Sequence, residues 1–168
     1  MIRTLLVCAL LASTPAVAAE SLALGKGTAE ISGSATVDLL LGDNTNTLVL
    51  NLHPQAGLFL AERAELIGGV SLVLANGVSA VGVSAGGRYV APMGAHHAYA
   101  GGTFNYGETQ FLGWEGSSTS VTALGGFLFP LNRRVAADVG ARIHLPLEGG
   151  AIHIPMGYFG IAGFFGGA

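Results

Sequence analysis

Apolar and polar residues alternate one for one over long stretches of this chain, and that period constrains the fold more than any other feature. Between 134 and 145, Val135, Ala137, Val139, Ala141, Ile143 and Leu145 share one parity, whereas Asp138, Gly140, Arg142 and His144 take the other. Between 47 and 60, Leu48, Leu50, Leu52, Leu58 and Leu60 stand against Asn51, His53, Gln55 and Gly57. A helix would mix these sets; a strand sends successive side chains to opposite faces and keeps them apart. Eight such segments can be drawn, at 28–41, 47–60, 64–75, 77–91, 95–107, 116–129, 134–145 and 151–165. They exceed the roughly five or six residues of ordinary sandwich strands and reach the length, about nine to eleven, that a membrane-crossing strand requires. The outward parity is expected to carry Ala98, Ala100, Phe104 and Tyr106 in the fifth segment and Val121, Ala123, Phe127 and Phe129 in the sixth. In the last it is expected to carry Ile152, Ile154, Met156, Tyr158, Ala162 and Phe164.

The breaks between segments are written in turn residues. Gly42-Asp43-Asn44-Thr45-Asn46, the Asn76-Gly77 pair, Ala91-Pro92-Met93-Gly94 and Pro130-Leu131-Asn132-Arg133 all read as hairpin connections. Pro54 and Pro155 fall inside expected strands, where proline lacks a ladder donor, and so call for a bulge or distortion. Gly82, Gly86, Gly87, Gly101, Gly102 and Gly107 are expected on the inner face of a narrow barrel, where they leave room for larger neighbours.

Composition narrows the choice of solvent. Charged residues make up 10% of the chain and hydrophobic ones 51%, against about a quarter charged in ordinary soluble domains. A formal charge of -3 offers no basic surface for nucleic acid. Polar, Gly or Pro interruptions recur throughout, so no segment after the N-terminal region has the unbroken apolar length of a spanning helix. A membrane β-barrel and a tightly packed exported β-sandwich remain.

Met1-Ile2-Arg3-Thr4, the apolar run Leu5 to Ala12, and Ala16-Val17-Ala18-Ala19 have the three-part layout of a secretory signal peptide. The expected organisation is a signal peptide at 1–19, a lead-in at 20–27 and one barrel domain at 28–168. Cys8 departs with the signal, so the exported chain holds neither a disulfide nor a thiolate site.

Three stretches carry a resemblance: "QAGLFLAERAELIGGVSLVL" from 55 to 74, "VSAGGRYVAP" from 83 to 92, and "ALGGFLFPLNRRVAADVGARIHL" from 123 to 145. With them the chain resembles the small outer-membrane β-barrel domain proteins, the OmpX-like and OmpA-transmembrane-like group. The resemblance implies an all-β fold, an eight-stranded antiparallel up-and-down transmembrane β-barrel in the outer membrane of a Gram-negative bacterium. It implies periplasmic termini, periplasmic turns near 61–63, 92–94 and 130–133, and outer turns near 42–46, 75–77, 108–115 and 146–150. It also implies recognition by the barrel assembly machinery through the aromatic end "GYFGIAGFF" at 157–165, although Gly166-Gly167-Ala168 displace Phe165 from the last position.

Candidate site residues follow from parity and charge. Glu65, Arg88, Asp138, Arg142 and His144 are candidates for a polar network in the lumen, with Arg142 and Asp138 as its expected pair. Phe111, Trp114, Tyr158 and Phe164 are candidates for the interfacial aromatic belt, and Glu108 to Glu115 for the one sizeable outer loop. His96 and His97, adjacent on a strand, point to opposite faces and do not chelate one ion. His144, Glu148 and His153 resemble part of the His, Ser and Glu set of lipid A-deacylating barrels, but no serine follows His144, so that motif is not matched. No catalytic, metal or cofactor site is expected. The reading is a non-enzymatic outer-membrane barrel with a structural or surface-interaction role, its partners outer-membrane lipid and lipopolysaccharide. An exported soluble β-rich binding or self-assembling module, and a lipid-modifying outer-membrane enzyme, are the alternatives.

Overall fold

The computed structural model describes residues 21–41, 46–75, 78–111, 114–148 and 157–166. Eight strands run in chain order: β1 (Ala29–Leu41), β2 (Asn46–Phe59), β3 (Ala64–Ala75), β4 (Val78–Met93), β5 (His96–Phe111), β6 (Trp114–Pro130), β7 (Val135–Pro146) and β8 (Tyr158–Phe165). Each pairs antiparallel with the next, and β8 returns to β1 from Ala29↔Phe165 to Ala35↔Phe159, closing the barrel. Closure gives every strand two partners, with β8 covering β1 from Ala29 to Ala35 and β7 from Val135 to Gly140 among the described residues. Followed strand to strand, the registers displace a β1 residue by about ten positions per circuit, a stagger that goes with the strongly tilted strands of small barrels.

The alternation seen in the sequence becomes an apolar outside. Leu58, Leu66, Val70, Leu74, Val81, Val83, Phe104, Val121, Phe127, Val139 and Ile143 are all exposed. Such a surface suits hydrocarbon and is not one that water tolerates on a monomer. No helix among the described residues is long and apolar enough to cross a membrane.

Four expectations change. β8 begins only at Tyr158, after Gly157 at φ 136°, and 151–156, with His153 and Pro155, lie outside the described residues. Within β8, Tyr158, Ala162 and Phe164 are buried in the lumen, while Phe159, Ile161 and Phe165 face out at 59, 55 and 52% exposure. Both parities of this strand are apolar, so composition does not orient it. Pairing with β7 does, setting Phe159 beside the outward Val139.

Next, 108–115 is not a display loop. β5 and β6 stay paired to Phe111↔Trp114, because backbone bonding continues through polar strand ends that carry no apolar alternation. The side chains of Phe111 and Trp114 lie outside the description. Pro54 needs no bulge: β2 keeps one register against β3 on both sides, and the ladder simply omits rungs at His53 and Pro54. Gly87 and Gly102, lastly, lie on the outward parity of β4 and β5, while Gly82, Gly86, Gly101 and Gly107 share the parity of the interior. The predicted signal peptide, 1–19, lies outside the described residues.

Candidate functional site: the barrel interior

At the rim that carries the described chain ends, an apolar cluster fills the lumen. Phe59, Val90, Leu128, Ala136, Ala162 and Phe164 are all at most 2% exposed, with the Phe59 and Phe164 rings 6.5 Å apart. Leu22, from the lead-in, completes the cluster. The lead-in reaches it by crossing the rim: Ala23 N donates to Arg133 O at 3.3 Å, and Gly27 N donates to Phe59 O at 2.8 Å. It is a built part of the barrel, which the sequence division at residue 28 did not anticipate.

Above the plug lies an ionic layer. Glu65 and Arg88 are direct cross-strand partners, and Arg88 Nε donates to Glu65 Oε2 at 2.6 Å. The other arm of Arg88 pairs with Glu30 Oε2. All three side chains are buried, and Oε1 of each glutamate has no hydrogen-bond partner among the described residues. The guanidinium also sits 4.8 Å from the centre of the Tyr99 ring, a contact that further compensates its desolvation. Tyr99 donates its hydroxyl to Asp138 Oδ1 at 2.6 Å and touches the Tyr158 hydroxyl. Arg142 lies 4.2 Å from the Tyr158 ring centre and donates to Ser34 Oγ at 3.0 Å.

This layer exists because glycines vacate its walls. A Cβ on Gly140 would lie 2.7 Å from both tyrosine hydroxyls, and one on Gly57 would run into Glu65 Oε1.

Toward the far rim the lumen widens into a polar cavity of about 300 Å³, lined among others by His53, Gln55, Asn105, Thr122, Arg142 and His144. Asn105 Nδ2 donates to Thr122 Oγ1 at 2.8 Å, and Thr122 Oγ1 lies 2.7 Å from His144 Nδ1.

Of the residues singled out in the sequence, Glu65 and Arg88 meet in one ion pair, Asp138 joins the layer through Tyr99, and Arg142 and His144 stand above it. Arg142 and Asp138 are not an ion pair among the described residues. They stand four apart on one strand, roughly 13 Å at strand rise, and each turns to a nearer partner. Tyr158 and Phe164, expected at the interface, belong to this interior. Sequence reasoning missed Glu30, Ser34, Tyr99 and Leu22. Parity could have found Tyr99, which alternates with the outward Ala98 and Ala100; Glu30 lies in β1, whose apolar run at Leu39-Leu40-Leu41 blurs the faces.

His96 is exposed against Phe129, its ring centre 4.7 Å away, while His97 is buried on the opposite face. Glu148 accepts from Thr119 Oγ1 at 3.4 Å, at the exposed end of the barrel.

No protein-family model and no curated protein sequence matches the chain. Solved structures do match in fold. The N-terminal β-barrel domain of Pseudomonas aeruginosa OprF aligns at TM-score 0.62 and 15% identity, covering 84% of this chain and 99% of that one. Neisserial surface protein A aligns at TM-score 0.60 and 13% identity, covering 84% and 99%. The outer membrane protein OprG from Pseudomonas aeruginosa aligns at 0.59 and 15%, covering 89% and 100%. The fold is that of the small eight-stranded outer-membrane β-barrels.

Proposed function

We propose that this chain is a non-enzymatic barrel of the outer membrane, exported by its N-terminal signal and acting as a closed structural or surface scaffold. The observation that carries the reading is the contrast between its two faces. Apolar side chains cover the outside of the strands, while the lumen is stopped by the Leu22–Phe59–Phe164 cluster and crossed by the Arg88 layer. An eight-stranded barrel is just wide enough for its own side chains to fill, and among the described residues the apolar cluster and the ionic layer lie across the lumen below the polar cavity. Lipid and lipopolysaccharide around the belt, and the barrel assembly machinery during insertion, are the partners that such a scaffold requires.

The test is fractionation of cells producing the full precursor, followed by detergent extraction and gel electrophoresis with and without boiling. A protein in the outer-membrane fraction, with heat-modifiable migration and β-rich circular dichroism, is expected. Recovery in the soluble fraction without detergent would sink the proposal.

A further inference from the structure

The described charges outside the lumen are sorted along the barrel axis. Of its Lys and Arg residues, Arg3 precedes the described chain and Arg88 and Arg142 lie within the lumen. The other four, Lys26, Arg63, Arg133 and Arg134, are all exposed at the rim closed by the lead-in. The only described acidic side chain among them is Glu62. The charged side chains described at the far rim, Glu108 and Glu148, are acidic and exposed.

The four cations come from three segments tied together by backbone hydrogen bonds. Ala23 bonds to Arg133, Phe164 bonds to Arg134, and Gly27 bonds to Phe59 at the start of the turn holding Arg63. The rim that carries them also has the make-up of a boundary between hydrocarbon and headgroup. Arg63 Nη1 reaches 3.4 Å to the hydroxyl of Tyr89, an outward tyrosine 53% exposed. Leu60, Met93 and Leu131 stand exposed at the same rim, at 55, 57 and 64%. Tyrosine and cationic side chains beside an apolar belt mark a headgroup region, and cations there attract anionic lipid by roughly fivefold each, less where salt screens them.

We infer that this rim is a binding collar for anionic phospholipid headgroups, formed by Lys26, Arg63, Arg133 and Arg134 with Leu60, Met93 and Leu131 as its acyl-side anchors. It rests on the membrane-spanning reading above and adds to it a lipid preference confined to one leaflet.

The experiment uses the folded protein in detergent, loaded with an equimolar mixture of phosphatidylglycerol and phosphatidylethanolamine. Detergent exchange follows, and the retained lipid is measured by mass spectrometry. Phosphatidylglycerol is expected in excess by about tenfold or more, falling toward parity in 0.5 M salt and in the R63Q/R133Q/R134Q variant. The E108Q/E148Q variant is expected to keep the excess. Equal retention of both lipids by the native protein, an excess that survives the triple substitution, or retention of added lipopolysaccharide in its place would each overturn the collar. Should the triple variant fail to fold, the salt series on the native protein decides alone. A native protein that keeps heat-modifiable migration yet shows no lipid preference defeats the collar only; one that needs no detergent defeats the membrane reading itself.

Discussion

Arg88 is the side chain on which the lumen turns. It enters one buried layer with two carboxylates, and each glutamate keeps an oxygen without a partner among the described residues. Removing the guanidinium leaves both acids buried without their counter-charge, a change that costs about 3–5 kcal/mol. R88Q is therefore expected to lower the urea midpoint of the folded barrel in detergent; an unchanged midpoint would show that the carboxylates do not depend on it. Gly140 is a second test at this scale. Its replacement by alanine sets a methyl 2.7 Å from the hydroxyls of Tyr99 and Tyr158 and 2.7 Å from Gly125 O. Part of that crowding involves backbone, which does not swing aside, so G140A is expected to cost about 1–3 kcal/mol in the same assay. A variant as stable as the native protein would mean that the tyrosine pair shifts freely.

The lead-in is the element whose contribution is easiest to underestimate. It lies outside the strands, yet it carries Leu22, 5% exposed, into the apolar cluster. Leu22→Ala should destabilise the barrel by about 2–5 kcal/mol, the range for a buried leucine truncated in a packed site, and the denaturant midpoint again measures it. A loss no larger than that of an exposed Leu131→Ala control would place Leu22 outside the core. β2 offers the opposite case. Its missing rungs around Pro54 leave a local gap in an otherwise regular ladder, tolerated because both flanking blocks keep the same register. Strand positions with a donor contribute about 0.5–1.5 kcal/mol per hydrogen bond. Pro54→Val is thus expected to be neutral or stabilising by that amount, and a marked loss of stability would assign the proline a positive role.

For the whole molecule, the plug and the ionic layer predict a blocked pore. In a planar bilayer the reconstituted protein is expected to show no steady stepwise conductance, whereas wide aqueous barrels conduct continuously. A persistent open channel would contradict the filled lumen. The polar cavity does not alter this expectation, because Arg142 and Tyr158 line its inner wall and the Arg88 layer and apolar cluster lie beyond them.

The sequence alone determined the strand count, most strand limits and the outward parity of β2, β5, β6 and β7, because a period of two is a local property of the chain. It also placed Asp138, Arg142 and His144 on one polar face through the same alternation, and singled out Glu65 and Arg88 by charge in strands whose parity small residues blur. Only the closed structure decided which inward groups meet. Glu30 and Arg88 lie 58 residues apart in the chain, as Tyr99 and Tyr158 lie 59 apart, and circumferential stagger brings each pair together. Tertiary pairing likewise settled β8, whose two faces are equally apolar, turning Tyr158 and Phe164 inward. Parity states that a strand has two faces; the closure of the barrel decides which face is the lumen and what each side chain finds there.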